Sequence, residues 1–510
     1  MDNKLKNIGN NDNKNNNYCL EKSLQRNIEL FRNNLLNNDD NVVYRSFKNR
    51  NSSLKFCLIF IDGMVNKRII NENIISQLMK NDFKCNSNSV INYIKEEVVI
   101  VDDVKDTKDI DLILRSILYG DSVLFIENVS KAIILNTKGW ETRSIDEPQS
   151  ETIVRGPREG FIESLNTNVS LIRRKINSPN LKFQNLKDIG VRTNTKVCIA
   201  YMEGIANEKI LNEVKHRLRN LDIEGFFSSG TIQDLISDYP YSPFRTIGYS
   251  ERPDVIASKL LQGRIAILCD GSPVVLTLPF LFIEYFQVNE DYYENFIYAS
   301  MNRILRVIAF ILTISTPAVY VALTTYHKEL IPTKLALSIY LAKEGVPFNS
   351  AIESVIMIIT FEIIREAGIR LPKHIGATVS IVGALVLGDA AVNARFVSAP
   401  VVIVIAIAGI CELILYDMRS GVIVSRFIFL LLASILGLYG VIFAMMGLVI
   451  HLMSIKTFGI PYMLKLIDLN KYDVLDTAIR APWGFLKYRT RFIARNRIRI
   501  KNCGKRRNNK

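Results

Sequence analysis

Hydrophobic side chains are spread along this chain in two regimes. Up to about residue 300 they come in short runs separated by polar turns, the pattern of strands and amphipathic helices in a water-soluble protein. Between residues 301 and 453 they come in long stretches: Val307–Leu323, Ile352–Ile364, Ile375–Leu387, Val401–Tyr416 and Phe427–Met453. The first of these has no charged side chain and, as a helix, is long enough to cross roughly 30 Å of hydrocarbon. Arg303 and Arg306 mark its start, and Gly, Pro and short charged turns interrupt the rest. The pattern predicts a soluble α/β N-terminal region followed by a multi-spanning α-helical membrane domain.

The soluble half repeats itself. Lys55–Asn73 reads KFCLIFIDGMVNKRIINEN and Lys196–Val214 reads KVCIAYMEGIANEKILNEV, with Lys, Cys, Gly, Asn, Ile, Asn and Glu identical at a spacing of 141 residues. In each copy a short apolar strand ends in an acid and a glycine, Asp62-Gly63 and Glu203-Gly204, and an amphipathic helix follows. The acid is expected to cap that helix while the glycine makes the turn. Downstream, Gly120–Leu135 and Gly263–Leu276 each read as two strands around a polar turn. Two duplicated α/β modules are the expected architecture. No Walker loop, G-x-G-x-x-G, G-x-S-x-G or H-E-x-x-H pattern is present, so no enzyme chemistry is expected.

Between the copies lies Glu151–Asn168, followed by Leu171–Lys175. Gly156-Pro157 forces a turn, after which Phe161, Leu165 and Ile172 can share one helical face. Arg155, Arg158, Arg173, Arg174 and Lys175, with Glu159 among them, make it a basic hinge. It is read as a solvated helix with surface charge, or as a docking surface for an acidic partner or membrane headgroups.

Acids in the apolar half are the candidate functional groups. Glu353, Glu362 and Glu366 fall on the second apolar helix, where a carboxylate facing lipid would cost several kcal/mol. At 100° per residue Glu362 and Glu366 share a face and Glu353 lies opposite. Arg365 can pair with Glu362. Glu353 has no local partner and either lines an ion path or sits at the interface. Gly376, Ser380, Ala384 and Gly388 recur every four residues, with Gly383 beside them, a spacing that lets helices approach closely or abut as a gate. Asp389, Glu412 and Asp417 flank helix ends and are expected at the interface.

Charge changes the picture only once it is located. The net charge is +14, but Lys487–Lys510 holds eleven Lys or Arg and no acid. That tail reads as a cytoplasmic flank on anionic lipid rather than a nucleic-acid site. Basic residues beside the spans (Arg303, Arg306, Arg365, Arg370, Lys373, Arg419, Arg426) also belong in the cytoplasm. One further simple crossing at Phe427–Met453 would place the tail outside. Either that stretch breaks at Gly437 and Gly440 into a hairpin, or Ile331–Ala342 or Val274–Phe286 alters the count. Seven scattered cysteines without a C-x-x-C pair, and four dispersed histidines, indicate neither metal site nor disulfide framework. No cofactor is expected.

Two stretches carry a family resemblance: ETIVRGPREGFIESLNTNVSLIRRKI at Glu151–Ile176, and PFNSAIESVIMIITFEIIREAGIRLPKHIGATVSIVGALVLGDAAVNARFVSAP at Pro347–Pro400. Both resemble the signatures of GerA-type spore germination receptor A subunits. The resemblance implies a non-enzymatic subunit of a nutrient receptor in the spore inner membrane. It also implies a transporter-like B subunit and a lipoprotein C subunit as partners, and homo-oligomerisation around a cation pore. A secondary transporter or non-conducting scaffold is the alternative. The expected domains are an Asn-rich disordered arm (1–50), a first α/β module (51–145), the basic hinge with its signature helix (146–190), a second α/β module (191–295), the transmembrane helices (300–456) and a basic cytoplasmic tail (457–510). Arg155, Gly156, Pro157, Arg158, Glu159, Arg173 and Arg174 are the candidate coupling surface.

Overall fold

The computed structural model describes residues 18–52, 54–83, 87–139, 151, 153, 155–186, 189–371, 388–464, 476–477, 479–490, 492–496 and 498–499. The chain divides into two compact units: Met1–Ser237 with Ile247–Pro279 and Arg489–Arg497, and Asp238–Thr246 with Phe280–Tyr488 and Ile498–Lys510.

Among the described residues, the N-terminal unit contains two five-stranded antiparallel sheets. The first is built from β1 (Val42–Lys48), β2 (Lys55–Ile61), β3 (Val104–Thr107), β4 (Ser122–Ile126) and β5 (Ala132–Leu135), in the order β1-β2-β4-β5-β3. The second is built from β6 (Leu181–Asn185), β7 (Val197–Met202), β8 (Gly248–Ser250), β9 (Ile265–Cys269) and β10 (Val275–Leu278), in the order β6-β7-β9-β10-β8. Counted within each copy the two orders are the same, so the sequence repeat is a repeat of topology. β2 is continuously apolar because both its faces are covered. Cys57, Ile59 and Ile61 face one cluster with Leu24, Phe31 and Ile113, while Phe56, Leu58 and Phe60 face another with Ile70, Ile74 and Leu78. Burial raises the thiols of Cys57 and Cys269, the latter to about 12, so both are protonated core fillers.

The repeat starts earlier than the apolar pattern suggested. α1 (Leu24–Glu29) runs into a π-helical turn (Leu30–Leu35), and α3 (Leu165–Lys175) is its counterpart, with α2 (Ile110–Leu118) between them in the chain. Ser23, Leu24, Asn27, Leu30 and Arg32 recur as Ser164, Leu165, Asn168, Leu171 and Arg173, each 141 residues on. The contacts recur too. Asn27 donates to Glu21 O at 2.7 Å and accepts from Glu21 N at 2.9 Å; Asn168 does the same with Ile162 at 2.5 and 2.9 Å. Arg32 lies over the Tyr44 ring at 4.7 Å, and Arg173 over Phe183 at 4.9 Å.

Two expectations are corrected here. Residues 23–50 are not a disordered arm: Leu24, Phe31, Leu35 and Leu36 are buried in the first module. Few apolar residues sit among the asparagines, but they fall on one face. The basic helix is likewise not a separate hinge or a solvated surface, because α3 is the opening helix of the second module. Its Leu165, Val169 and Ile172 are buried with Phe161 against Phe183, Cys198 and Leu260.

Helix capping is corrected as well. Asp62 accepts from Gly63 N (3.0 Å) and pairs with Lys67 (2.9 Å) instead of capping. The turn runs three residues further, through Gly63 (φ 83°) and Gly204 (φ 76°). The repeated asparagine then caps: Asn66 accepts from Arg68 N at 3.0 Å, and Asn207 from Lys209 N at 3.1 Å at the start of α4 (Glu208–Arg219).

The second module ends at Pro279 rather than 295, and takes in residues 489–497 of the expected tail. Arg495 N donates to Ile205 O at 2.8 Å, Asn207 Nδ2 to Phe492 O at 2.9 Å, and Ala206 bridges Ala494. In the first copy Val65 bridges Lys138 and Gly139 N donates to Met64 O at 3.2 Å. The end of the chain thus supplies the second module with a segment that the first takes from residues just after β5.

Acid should weaken the first module at one identifiable place. Asp106 on β3 lies 2.8 Å from Lys131 and 2.6 Å from Lys95, and the hydrogen bonds from these two lysines lower its carboxyl from 3.8 to about 2. A depressed carboxylate stabilises the fold above its unfolded value, and that contribution is lost as pH falls through the folded value of about 2. The site is partly exposed, so solvent screening holds the effect to about 1 kcal/mol or less. Asp106→Asn is expected to lower the urea midpoint at neutral pH and to flatten the pH dependence of stability from about pH 4 to 2. An acid-unfolding curve superimposable on the parent's refutes this.

The second unit is a helical bundle: α6 (Phe296–Thr325), α7 (Thr333–Lys343), α8 (Ser350–Arg370), α9 (Ala399–Ile414), α10 (Arg419–Leu436) and α11 (Leu438–Ser454), with α5 (Pro253–Leu261) belonging to the other unit. Phe296–Thr325 and Tyr416–Leu436 are long and apolar enough to cross a membrane; Ala399–Ile414 and Leu438–Ser454 are apolar but shorter. The run Phe427–Met453 is not one helix. Gly437 (φ 61°) reverses the chain, and a Cβ at Gly440 would fall 2.0 Å from Leu432 O, so glycine there lets α10 and α11 close. At the other ends Ser420 donates to Pro243 O at 2.8 Å, and His451 lies 3.0 Å from Ser242 Oγ. This is the hairpin alternative. Val275–Leu278 is strand β10, not a span.

Contacts give each helix a direction. Thr324 at the end of α6 meets Ser350 at the start of α8 (3.2 Å), and Tyr326 donates to Ser434 O near the end of α10 (2.7 Å). This end is called the far end. The end of α8, the end of α9 and the start of α10 meet at the opposite, near end.

Candidate functional site

Among the described residues, ionised side chains gather at several places inside this bundle. At the near end Glu362 and Arg365 of α8, Glu412 of α9 and Arg426 of α10 form one cluster. Arg365 pairs with both Glu362 and Glu412, and Arg426 Nη2 lies 2.5 Å from Glu412 and 3.2 Å from Glu362. Glu412 and Arg426 are 5% and 3% exposed, so two opposite charges are removed from solvent with their partners. Two carboxylates face two guanidinium groups and the cluster is neutral, the condition for keeping ions in an apolar interior. Glu412 was expected at an interface; its burial corrects that. Both members were visible in the sequence as lone opposite charges bordering apolar runs, at the end of one and the start of the next.

At the far end Glu353 is fully buried and has a partner that its own helix could not show. Its Oε2 accepts from Ser398 N at 2.8 Å and Ser398 Oγ at 2.6 Å, so a carboxylate of α8 caps the N-terminus of α9. Its Oε1 lies 3.9 Å from Lys343 Nζ at the end of α7. Glu366 is half exposed, pairing with Arg370 at 2.7 Å and Arg419 at 3.8 Å. Asp389 is exposed, and Gly388 sits beside Val402 of α9. Gly376, Ser380, Gly383 and Ala384 lie outside the described residues.

A third group, which pattern reading missed, anchors the start of α6. Arg303, fully buried, donates to Asp291 (2.9 Å) and Asp476 (2.9 Å), and Arg306 holds the same Asp291 at 2.9 and 3.0 Å. Read from sequence, both arginines are only a positive flank.

The family model described as Bacillus/Clostridium GerA spore germination protein matches residues 30–492. The chain belongs to the GerA family of spore germination proteins. Spore germination protein KA of Bacillus subtilis (strain 168) is 40% identical over 467 residues, 91% of this chain and 85% of that protein. An uncharacterized membrane protein of the same strain, YfkQ, is 39% identical over 450 residues, 87% of this chain and 86% of that one. Among solved structures, the N-terminal domain of the A subunit of the Bacillus megaterium spore germinant receptor GerK3 is 33% identical, covering 52% of this chain and 98% of that one at a TM-score of 0.42.

In this GerA chain the residues expected as a coupling surface divide into two kinds. Glu159 holds Lys175 at 2.8 Å and Arg174 at 3.3 Å. Partial burial pushes its carboxyl up, but Lys175 and Arg174 outweigh that and leave it below the usual range. Arg155, Gly156 and Arg158 are exposed and Pro157 is half-buried. Arg173, by contrast, is buried and ion-paired with Asp39 of the first module, which fastens the two modules together.

Proposed function

We propose that this GerA-family protein is the A subunit of a nutrient-responsive germinant receptor, a multi-spanning protein of the spore inner membrane with its N-terminal unit in the cytoplasm. It forms or gates an oligomeric cation-conducting channel and works with a transporter-like B subunit and a lipoprotein C subunit. The observation that carries the membrane part is an inside-out distribution of polarity in the bundle. Ile308, Ile311, Ile407, Ile410, Leu431 and Phe443 are among many large apolar side chains left exposed, while Glu353, Glu412 and Arg426 are buried. Water cannot favour such a surface over an area this large, whereas hydrocarbon can.

The hairpin of α10 and α11 supports a chain whose basic tail lies on the same side as its N-terminal unit, as does the packing of residues 489–497 within that unit. Arg365, Arg419 and Arg426 share the near end, in keeping with a cytoplasmic near side. For conduction the support is chemical. A fully buried carboxylate, Glu353, whose Oε1 accepts no hydrogen bond and faces the ammonium of Lys343 at 3.9 Å, is a group that attracts cations.

Reconstituting the full chain into proteoliposomes is expected to give a cation leak that Glu353→Gln, combined with a bulky residue at Ala384, changes in conductance or gating. Flux identical in parent and variant removes these residues from the pore, and absence of any flux from assembled receptor favours the scaffold reading.

A further inference from the structure

Between α8 and α10 lies a wide-mouthed crevice of about 610 Å3. Ile359, Ile363 and Phe427 wall it, and Glu366, Arg370 and Arg419 stand at its near-end mouth. Positions 359, 363, 366 and 370 recur every three or four residues, so one stripe of α8 forms an entire wall. Ile359 and Arg370 are eleven residues apart, about 16 Å along a helix axis. That is about half of the roughly 30 Å hydrocarbon thickness, the depth of one leaflet.

Charge is arranged to match. Arg370, with 78% of its side chain exposed, and Arg419 both lean on Glu366, at 2.7 and 3.8 Å. One acid between two guanidinium groups leaves the mouth net positive. Glu362, which also borders the crevice, is neutralised by Arg365 and Arg426. Arginine offers planar donor pairs that fit phosphate oxygens, and basic pockets between spans on the cytoplasmic side take anionic headgroups.

We propose that this crevice binds one anionic phospholipid of the cytoplasmic leaflet. An acyl chain lies along Ile359, Ile363 and Phe427, and the phosphate sits between Arg370 and Arg419. The inference rests on the membrane reading above. A soluble phosphate compound shares the headgroup chemistry but has no use for the apolar wall.

The test uses the full chain, incorporated into nanodiscs of mixed phosphatidylglycerol and phosphatidylcholine, with retained lipid counted by native mass spectrometry after mild release. The parent is expected to retain phosphatidylglycerol on the order of tenfold over phosphatidylcholine, and Arg370→Gln with Arg419→Gln to bring that ratio close to one. Ile363→Trp keeps both arginines and fills the slot from an exposed position, and is expected to expel the lipid without altering the charge. Lys67→Gln, on the N-terminal unit, should leave retention at the parent's level. No preference in the parent, or the same preference in all variants, overturns the proposal. So does full displacement of the lipid by inorganic phosphate, which would identify a phosphate site instead. A chain that inserts into bilayers but lacks the preference defeats this inference alone, whereas a chain that stays soluble without detergent or lipid defeats the membrane reading as well.

Discussion

Replacing Arg173 by methionine is expected to be the most damaging single change in the N-terminal unit, costing about 3 kcal/mol. Arg173 and Asp39 are both almost fully buried and paired to each other. Removing one partner of a buried ion pair typically costs 3–5 kcal/mol, because the other charge is left uncompensated in a low dielectric. The low end applies here, since Arg173 Nε and Nη1 find no acceptor in the structure and their removal relieves some of the burden. After the change, among the described residues, the buried Asp39 carboxylate keeps the amide of Asn41 at 3.2 Å and the more distant charge of the buried Lys182. The measurement is the urea midpoint of the full chain in detergent, followed by a probe in the N-terminal unit. Replacing both residues, Arg173→Met with Asp39→Leu, is expected to recover most of the loss, since an apolar pair of similar volume is often as stable as the ions. A single variant within about 0.5 kcal/mol of the parent, or a double variant that simply adds a second loss, would falsify the assignment.

Glu412→Gln should do comparable harm to the helical bundle. The near-end cluster is neutral only while both acids are present, and the substitution leaves Arg365 and Arg426 facing Glu362 alone. A cost of about 3 kcal/mol follows, from the buried-pair range and from the comparable figure for a charge placed in a bilayer. The expected readout is a drop in melting temperature of the detergent-purified chain. Adding Arg426→Met in the same background restores neutrality and should raise the melting temperature again. Glu362→Gln, where the acid is more exposed, should cost less. Equal melting temperatures for parent and Glu412→Gln would mean that water reaches the cluster and screens it.

The contrast between Arg173 and Glu412 shows what kind of information the chain carries in linear form. Local regularities were plain: the KFC and KVC strands, the glycine that ends each, and the long apolar runs are readable because a helix or strand repeats its environment over a few residues. Partners brought in from elsewhere were not. Arg173 looked like one of a row of surface cations, and only Asp39, 134 residues earlier, makes it a buried tie. Glu353 lacked a partner on its own helix and found one in Ser398, 45 residues later. Residues 23–35 were hidden differently. Asparagine-rich composition suggested disorder, although Ser23, Leu24, Asn27, Leu30 and Arg32 repeat 141 residues on, as clearly as the strand does.

By itself the sequence determined the duplicated α/β region, the apolar half with acids in it, and the resemblance to GerA receptor subunits, because periodicity and repetition are properties of neighbouring residues. Tertiary structure alone decided where the second module ends, that residues 489–497 complete it, and which buried charges cancel. Those outcomes depend on desolvation and pairing between groups far apart in the chain, whose energies change sign with the company they keep.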